Sequence, residues 1–536
     1  MGREANIHSI RALEKQIEEG KGDAIKLKRT RNSLLNISTR VPPEILGYIF
    51  VWSLVRPTGY SLYCWHLEGL QKGSYNFLLV CHHWFEVASR TPELWGFWGN
   101  TLQDWKKRHH RSGTTPLDLV LGEYDFGSGA VFDESLQDAV RNRAVQDTIR
   151  QVHLLVTSSQ TLTSILSSLA PEDGRGRNDN IESFALQNDG ILPVDVSNFF
   201  ARSRLSKLRY LDLYGNFSIS SWDFLAPRTT LLTVLSLDIN VSAQPPTAAQ
   251  LFSILAPNPN LRELLLSEAA LPNDADTSAI KVQLRHLKLL SLAGKSRHLF
   301  GFLHQLVLPD GIDDLYLTGS DPTENISESL AEYMQDYIQR DPRLRGRLGI
   351  TSSTSQGSIS ITVAAVRDET ATPVQEPPQI SLTTLTDLPP PDISEQFIIN
   401  LIALVPQERV AFFSASIDVV IPDELYFMMP NIETLHLSDH LLFKGFLQPD
   451  PAGPHANAKL LPSLQLLRLE DVSYRKTEDW DLLLEYLAHQ TSDNQRISLE
   501  LIGNFPKLRV ELVDGIKELV EEFTFRRKFQ EGEYLS

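Results

Sequence analysis

Residues 208–213 read Leu208-Arg209-Tyr210-Leu211-Asp212-Leu213, and the leucine spacing in this stretch decides the fold class. The same L-x-x-L-x-L spacing starts four more times downstream, at intervals of 24, 29, 26 and 25 residues, in Leu232-Leu235-Leu237, Leu261-Leu264-Leu266, Leu287-Leu290-Leu292 and Ile312-Leu315-Leu317. Looser copies lie on either side, in Ile149-Val152-Leu154, Ile181-Phe184-Leu186, Ile432-Leu435-Leu437 and Leu464-Leu467-Leu469. A repeat of this period predicts a solenoid, in which each unit buries its apolar face against the next unit.

The segments between these copies carry apolar residues at helical spacing, as in Leu162-Ile165-Leu166-Leu169. Each unit is therefore expected to be a strand followed by a helix, which gives an α/β fold. A closed barrel or a doubly wound sheet would also alternate strands and helices, but its strands read as continuous apolar runs. Here apolar and mixed residues alternate, as in Leu315-Tyr316-Leu317-Thr318. We therefore expect a horseshoe-shaped solenoid with one sheet face on the helices and the other face open to water.

The residues that flank the leucines are predicted to line this open face. Aromatic and acidic side chains there suit a protein ligand, because tyrosine provides contact area at a low entropic cost. The acidic residues favour a basic segment of a target protein, and the alternative is that they face solvent without any ligand. The candidate target-binding residues are Tyr210, Asp212, Tyr214, Asp238, Glu263, Asp314, Tyr316, His436 and Arg468.

The sequence patterns divide the chain into four regions. Residues 1–35 predict an amphipathic helix that packs on its own chain, with a short coiled coil as the alternative. Residues 36–100 predict a small helical domain, 101–115 a linker, and 116–536 the repeats. Within the repeats, residues 350–395 are polar and rich in proline, so we expect a loop or insertion there. The repeat pattern should resume at about residue 397 and end in a capping unit.

The small helical domain contains three apolar pieces. They read Val41-Pro42-Pro43-Glu44-Ile45-Leu46 with Ile49-Phe50, then Leu78-Leu79-Val80-Cys81-His82-His83-Trp84, then Thr91-Pro92-Glu93-Leu94-Trp95. Pro43 suits the first position of a helix, and Glu44 suits its positive end. The second helix is apolar around most of its circumference, so it needs two burial partners. A segment this small supplies one partner, and we expect a second protein to supply the other.

These three pieces resemble the F-box of fungal F-box proteins, and the later repeats resemble leucine-rich repeats. The F-box resemblance covers roughly a tenth of the chain. It implies docking onto the Skp-type adaptor of a cullin ubiquitin ligase (SCF), with the repeats holding a target protein near a ubiquitin-charged enzyme. The docking residues that it implies are Pro42, Pro43, Glu44, Ile45, Leu46, Ile49, Phe50, Leu79, Val80, Trp84, Leu94 and Trp95. The alternatives are a repeat scaffold without a ligase role and a hydrolase with an unrecognised motif.

Composition argues against several functional classes. The net charge of −17 and the pI of about 5.3 disfavour nucleic-acid and anionic-membrane partners. Two cysteines, Cys64 and Cys81, are too few for a cysteine-based zinc site or a disulfide framework. The sequence contains no G-x-S-x-G, Walker or H-E-x-x-H motif, so we expect no enzyme activity, cofactor or metal. Without an apolar signal core or a membrane span, we expect a cytoplasmic or nuclear protein.

Overall fold

The chain divides into two compact units, each built of parallel strands and helices. The computed structural model describes residues 11–17, 26–28, 30, 41–53, 76–98, 105–122, 134–170, 178–223, 229–240, 245–273, 281–319, 333, 335–344, 348–355, 358–365, 379–385, 405–416, 428–438, 461–470, 477–492, 496–503 and 510–526. Unit 1 comprises Met1–Gln244 and Ser253–Asn258, and unit 2 comprises Pro245–Phe252 and Pro259–Ser536. The fold is mixed α/β, as the sequence predicts.

Helices are interspersed among the strands along the described residues. The helices are α1 (Pro43–Ser53), α2 (His82–Ser89), α3 (Pro92–Trp95), α4 (Trp105–Ser112), α5 (Glu134–Arg141), α6 (Arg143–Gln146), α7 (Ser159–Leu169), α8 (Ser197–Arg202), α9 (Ala248–Leu255), α10 (Ser296–Gln305), α11 (Thr477–Ser492) and α12 (Val510–Leu519). Residues 11–17, 26–28 and 335–340 are also helical. The rest of the predicted N-terminal helix lies outside the described residues.

The strands of unit 1 are β1 (Phe97–Trp98), β2 (Leu117–Gly122), β3 (Ile149–Val156), β4 (Ser183–Asn188), β5 (Val194–Asp195), β6 (Tyr210–Gly215), β7 (Phe217–Ser218) and β8 (Val234–Ile239). The main sheet runs β1–β2–β3–β4–β6–β8, and every neighbouring pair is parallel. Its register aligns Phe184, Leu211 and Leu235, the central apolar residues of three successive repeats. All three are fully buried, so the leucine spacing marks the helix-facing side of the sheet.

The strands of unit 2 are β9 (Glu263–Leu266), β10 (Val282–Gln283), β11 (Leu289–Gly294), β12 (Leu306–Val307), β13 (Asp314–Gly319), β14 (Leu348–Ser355), β15 (Ser358–Ala365), β16 (Gln379–Leu385), β17 (Val410–Ser416), β18 (Thr434–Ser438), β19 (Leu466–Glu470), β20 (Ser498–Ile502) and β21 (Phe523–Arg526). Parallel pairs join β9–β11–β13–β16 and β14–β17–β18–β19–β20–β21. Among the described strands, neither unit closes into a barrel. In β11, β13, β18 and β19 buried leucines alternate with half-buried residues, which matches the predicted two-faced strand.

The predicted insertion at residues 350–395 contains three strands. Strand β15 is antiparallel to both β14 and β16, so the break in the repeat pattern is a change of strand direction. Within the predicted loop or insertion, residues 351–355 belong to β14 and Ser358 begins β15. Polar side chains permit a strand here because the ladder bonds join backbone groups, which every residue except proline supplies in full. The prolines of this region lie outside the described residues.

The predicted linker at residues 101–115 contains helix α4. Trp105 and Ser112 are buried, and the guanidinium of Arg111 lies 4.5 Å from the ring centre of Trp95. Trp98 donates its indole N–H to the carbonyl of Trp95 at 3.0 Å and packs edge-on against His109. Helix α4 therefore packs against Trp95 and Trp98 through Arg111 and His109.

Candidate interaction surfaces

Residues 41–53 and 76–98, here called the head, have a small apolar core of their own. It consists of Leu46, Phe50, Val87, Ala88, Leu94 and Trp95. The indole N–H of Trp95 donates to the carbonyl of Ala88 at 3.0 Å, which fixes α3 against α2. A Cβ atom on Gly47 would lie 2.8 Å from Oγ1 of Thr91, so glycine lets α1 approach the start of α3. The head thus holds its three helices together without help from a partner.

Four of the predicted docking residues pack inward, in this core. Leu46, Phe50, Leu94 and Trp95 are only 1–6% exposed, and their role in docking stays a prediction. Trp84 is partly buried, with its ring centre 5.0 Å from that of Phe50. Helix α1 is apolar on two sides. Hydrophobic spacing alone does not tell which side faces its own chain.

The second apolar side of α1 is exposed. Ile45, Tyr48, Ile49 and Trp52 follow the i, i+3, i+4, i+7 spacing of one helix face, and Trp52 is 84% exposed. Three exposed side chains from the following turn and α2 complete a surface that we call the apolar patch: Ile45, Tyr48, Ile49, Trp52, Leu79, Val80 and Phe85. In the described part of the chain, these are seven of the twelve exposed large hydrophobic side chains. A patch of this kind marks an interaction site more often than a solvent-facing surface.

Some members of the patch were predicted and others were not. Ile45, Ile49, Leu79 and Val80 are exposed as the docking prediction requires. Tyr48, Trp52 and Phe85 were missed, although the i+3 positions of Ile45 and Ile49 are Tyr48 and Trp52.

The beginning of α1 is exposed as well. Pro42, Pro43 and Glu44 all lie at the surface, and the carbonyl of Pro42 accepts the first helical hydrogen bond from the N–H of Leu46 at 3.0 Å. A groove of about 210 Å³ runs beside this end of the helix, lined by Glu44, Gly47, Tyr48, Val51, Arg90, Thr91, Pro92 and Glu93. The head therefore offers a partner both a flat apolar face and a shallow recess.

The open sheet face of unit 1 is more buried than the sequence predicts. Tyr210 is 8% exposed and Asp212 is 4% exposed, and the Tyr210 hydroxyl lies 3.2 Å from Oδ2 of Asp212. Tyr210 packs with Ala185 and Val234 and stacks on the ring of His153 at 6.2 Å. Small and flat side chains on neighbouring strands let these rings lie along the sheet. Tyr210 and Asp212 are therefore part of the packing, which corrects their assignment to a target-binding surface.

Tyr214 and Asp238 lie at the carboxyl end of the same face and remain accessible. They are directly opposite each other on β6 and β8, and both are half-buried. Burial raises the pKa of Asp238 above its ordinary value. Burial, and then the charge of Asp238, raises the pKa of Tyr214. This end of the face therefore carries a partly desolvated carboxylate beside a phenol, a pair that gains from a cationic partner.

Half-buried side chains also line the open face of unit 2. Glu263, Asp314 and Tyr316 occupy alternate positions of β9 and β13, as the sequence predicts. Further along, Nδ1 of His436 lies 3.1 Å from Oγ of Ser414, and Nε2 lies 3.0 Å from Oε2 of Glu470. Burial lowers the pKa of His436, and the charge of Glu470 opposes that shift.

Arg468 belongs to an adjoining ionic cluster. Its Nε donates to Oε2 of Glu500 at 2.6 Å, and Nε of Arg526 lies 3.1 Å from Oε1 of the same carboxylate. The sequence pattern placed His436, Arg468 and Glu470 on the open face but missed Ser414, Glu500 and Arg526. The alternation Leu499-Glu500-Leu501 was the available signal for Glu500.

The Ser414–His436–Glu470 arrangement has the residue types of a hydrolase triad but lacks a second requirement. Acyl transfer needs donors aimed at the developing oxyanion. Strand β17 is paired with β14 on one edge and β18 on the other, so its backbone N–H groups are engaged in the ladder. Within the described residues, no group of three or more His, Cys, Asp or Glu side chains is placed to hold a metal ion.

Comparison with models of known protein families gave no match, and a search of curated proteins gave none either. Among the helices that the structure describes, none is long and apolar enough to cross a membrane.

Proposed function

We propose that this chain is the substrate-receptor subunit of a cullin-type ubiquitin ligase. In this proposal the head is an F-box that docks on a Skp-type adaptor through the apolar patch. The repeats form a leucine-rich-repeat solenoid that holds the target protein. The chain contributes proximity, because it brings a lysine of the target near a ubiquitin-charged enzyme elsewhere in the complex.

The observation that carries this proposal is the exposure of the apolar patch. Leu79 and Trp52 are 85% and 84% exposed, although a core that could accept apolar side chains lies directly behind them. A stable monomer places such residues in its core, and large exposed apolar surfaces favour association. The patch follows the order of elements expected for an F-box, with one face from the first helix and the remainder from the turn and second helix.

Two features support the solenoid assignment. Each copy of the leucine spacing in residues 149–317 corresponds to one parallel strand, and neighbouring copies are neighbours in the sheet within each unit. Asn216 and Asn240 follow their strands at the same offset, and the amide of Asn240 lies 3.4 Å from the amide oxygen of Asn216. A side chain repeated at one offset satisfies backbone and side-chain groups in the turns of successive units, as stacked repeats require.

The accessible positions of the open face are the proposed target contacts. They are Tyr214, Asp238, Glu263, Asp314, Tyr316, His436 and Arg468, and all are half-buried. Three of these seven side chains are acidic and one is basic, which favours a basic segment of the target.

Direct binding to a purified Skp-type adaptor tests the proposal. We expect the wild-type chain to bind in biolayer interferometry, and the double variant Ile49→Ser/Trp52→Ser to bind at least about tenfold more weakly. Leu231→Ser is the matched control, because Leu231 is 44% exposed but lies outside the head. Thermal unfolding of all three proteins should agree, since the altered side chains are exposed.

The outcomes test the receptor function and the position of the docking site separately. If the wild-type chain does not bind the adaptor, the receptor function is wrong, and an interaction scaffold without a ligase role remains. If the wild-type chain and the double variant bind equally well, the ligase role stands but the apolar patch is not the docking site.

A further inference from the structure

Outside the head, the most exposed large apolar side chains of the described residues are neighbours in one loop. Ile191 is 95% exposed and Leu192 is 68% exposed. They lie in the loop 189–193, between β4 and β5 of unit 1, and Pro193 beside them is also exposed. Isolated exposed leucines are common in proteins, but a contiguous apolar tip is less so.

Hydrogen bonds from side chains of neighbouring elements fix the backbone of this loop at Gly190 and Leu192. The Leu192 carbonyl accepts hydrogen bonds from Oγ of Ser159 at 2.5 Å and Nδ2 of Asn188 at 3.2 Å. The Gly190 carbonyl accepts from Nδ2 of Asn216 at 2.5 Å, and its N–H donates to Oδ1 of Asn188 at 3.0 Å. Asn188 is fully buried, and so is its bond to the Gly190 N–H; the bonds from Asn188 to Leu192 and from Asn216 to Gly190 are partly buried, and the bond from Ser159 is exposed.

Gly190 leaves no space for a side chain at the base of the loop. A Cβ atom there would lie 2.5 Å from Oγ of Ser159 and 2.7 Å from the carbonyl oxygen of Thr157. The loop therefore has one backbone arrangement, and that arrangement points its two largest apolar side chains into solvent. Since the conformation is fixed before any partner arrives, binding through these side chains loses little conformational entropy.

The charges around the loop indicate what kind of partner fits. Asp189 and Asp195 are exposed on either side of the apolar pair. Gln187, which contacts Asp189 at 3.0 Å, lies in one row of the sheet with Tyr214 and Asp238. The loop therefore stands at the acidic carboxyl-end rim of the open face. A complementary surface carries lysine or arginine around an apolar recess.

We infer that Ile191 and Leu192 form an apolar anchor for a folded protein partner, whose surface offers an apolar pocket bordered by cationic side chains. Two side chains cover much less than the roughly 800 Å² that each partner buries in a stable interface. The partner therefore also contacts the adjoining rim at Tyr214 and Asp238. If the proposed function holds, this partner is the target protein; the anchor itself does not depend on docking by the head.

Site-specific photo-crosslinking tests the anchor in cells. The full chain carries p-benzoylphenylalanine at Leu192, or at Leu231 as a control on another exposed site of unit 1. We expect a defined covalent adduct from position 192 and none from position 231. The adduct should persist in the Ile49→Ser/Trp52→Ser head variant, so failure of the anchor and failure of adaptor docking are distinguishable.

Binding of the purified adduct partner completes the test. We expect Ile191→Ser/Leu192→Ser to weaken binding at least about tenfold, and Leu231→Ser to leave it unchanged. Asp189→Asn/Asp195→Asn should weaken binding and reduce its dependence on salt.

Four results would overturn the inference. They are the absence of an adduct, an adduct with a second copy of this chain, equal binding by the serine variant, and Leu192-dependent binding to phosphatidylcholine–phosphatidylserine vesicles in place of a protein.

Discussion

The Nε2 atom of His153 on β3 lies 2.7 Å from the Oγ atom of Ser183 on β4, inside the packed part of the open sheet face. The imidazole ring also stacks on Tyr210 with an interplanar angle of 22°. His153 is 2% exposed, and burial lowers its pKa to about 4. The ring is therefore neutral at pH 7, and its protonation would place a desolvated charge beside the ring of Tyr210.

The first prediction concerns the acid stability of unit 1. Between pH 6.5 and about 4 the unfolded chain binds a proton at His153 that the folded chain does not, so stability falls as the pH falls. Above pH 6.5 the buried His153 does not lower the free energy of unfolding. By pH 4 it lowers that free energy by roughly 3 kcal/mol. His153→Gln should lose this part of the pH dependence while keeping a polar contact to Ser183. Urea unfolding of both proteins at pH 7, 5.5 and 4 measures the difference, and parallel pH profiles would contradict the prediction.

The second prediction contrasts two adjacent residues of α1. Leu46→Ala should destabilise the head by roughly 2–5 kcal/mol, because it leaves a cavity beside Phe50 and Trp95. Ile45→Ala should cost less than about 1 kcal/mol, since Ile45 is 50% exposed. Thermal or urea unfolding of the two variants gives both values. In the adaptor assay, Ile45→Ala should weaken binding more than properly folded Leu46→Ala does. Equal stabilities of the two variants would show that the inward and outward faces of α1 are assigned incorrectly.

The leucine spacing was enough to predict the strands, because each copy buries its leucines on one side of a parallel sheet. The leucine spacing was not enough to predict which side chains are buried on the opposite, open face of the sheet. Tyr210 and Asp314 occupy corresponding positions in their copies of the leucine spacing, yet Tyr210 is buried and Asp314 is half-buried. The difference arises from neighbours on adjacent strands, where Ala185 and Val234 flank Tyr210. Such neighbours are about 25–30 residues away in sequence and do not appear in a local pattern.

In the candidate sites, too, burial and exposure depend on residues that are distant in sequence. Pro43 and Glu44 identify the start of α1, and the ordered apolar pieces identify the head, because helix-start signals are local. Which of the two stripes, Leu46–Phe50 or Ile45–Ile49, faces the core depends on how α2 and α3 pack. The loop at Ile191 was missed because its exposure results from bonds made by Ser159 and Asn216, which lie on other repeats.

The third prediction concerns the ionic cluster of unit 2. The side chain of Glu500 is 7% exposed, and those of Arg468 and Arg526 are 34% and 69% exposed. Arg468→Ala should cost roughly 1–3 kcal/mol, because it removes the closest partner of a buried carboxylate. Arg526→Ala should cost less than about 1 kcal/mol, since exposed ion pairs contribute little.

A double variant provides the control for this cluster. Replacing both members of the closer pair, in Arg468→Ala/Glu500→Leu, should recover part of the loss, because no buried charge then remains without its partner. Urea unfolding of the single and double variants gives the coupling energy. Strictly additive losses would mean that Arg468 and Glu500 do not interact.

The last prediction compares two glycines with positive φ angles. Gly215 has φ of +100° and follows β6, and a Cβ atom there would lie 2.3 Å from the carbonyl oxygen of Asn188. Gly113 has φ of +60° after α4, and no atom lies within 4 Å of a Cβ built on it. Gly113→Ala should therefore cost only the roughly 1 kcal/mol of a left-handed alanine. Gly215→Ala should cost more than about 3 kcal/mol, because the backbone of β4 must also move and its hydrogen bonds to Asn216 weaken. Thermal unfolding of the two alanine variants measures the difference. Equal losses would show that the close approach of the turns after β4 and β6 contributes nothing to stability.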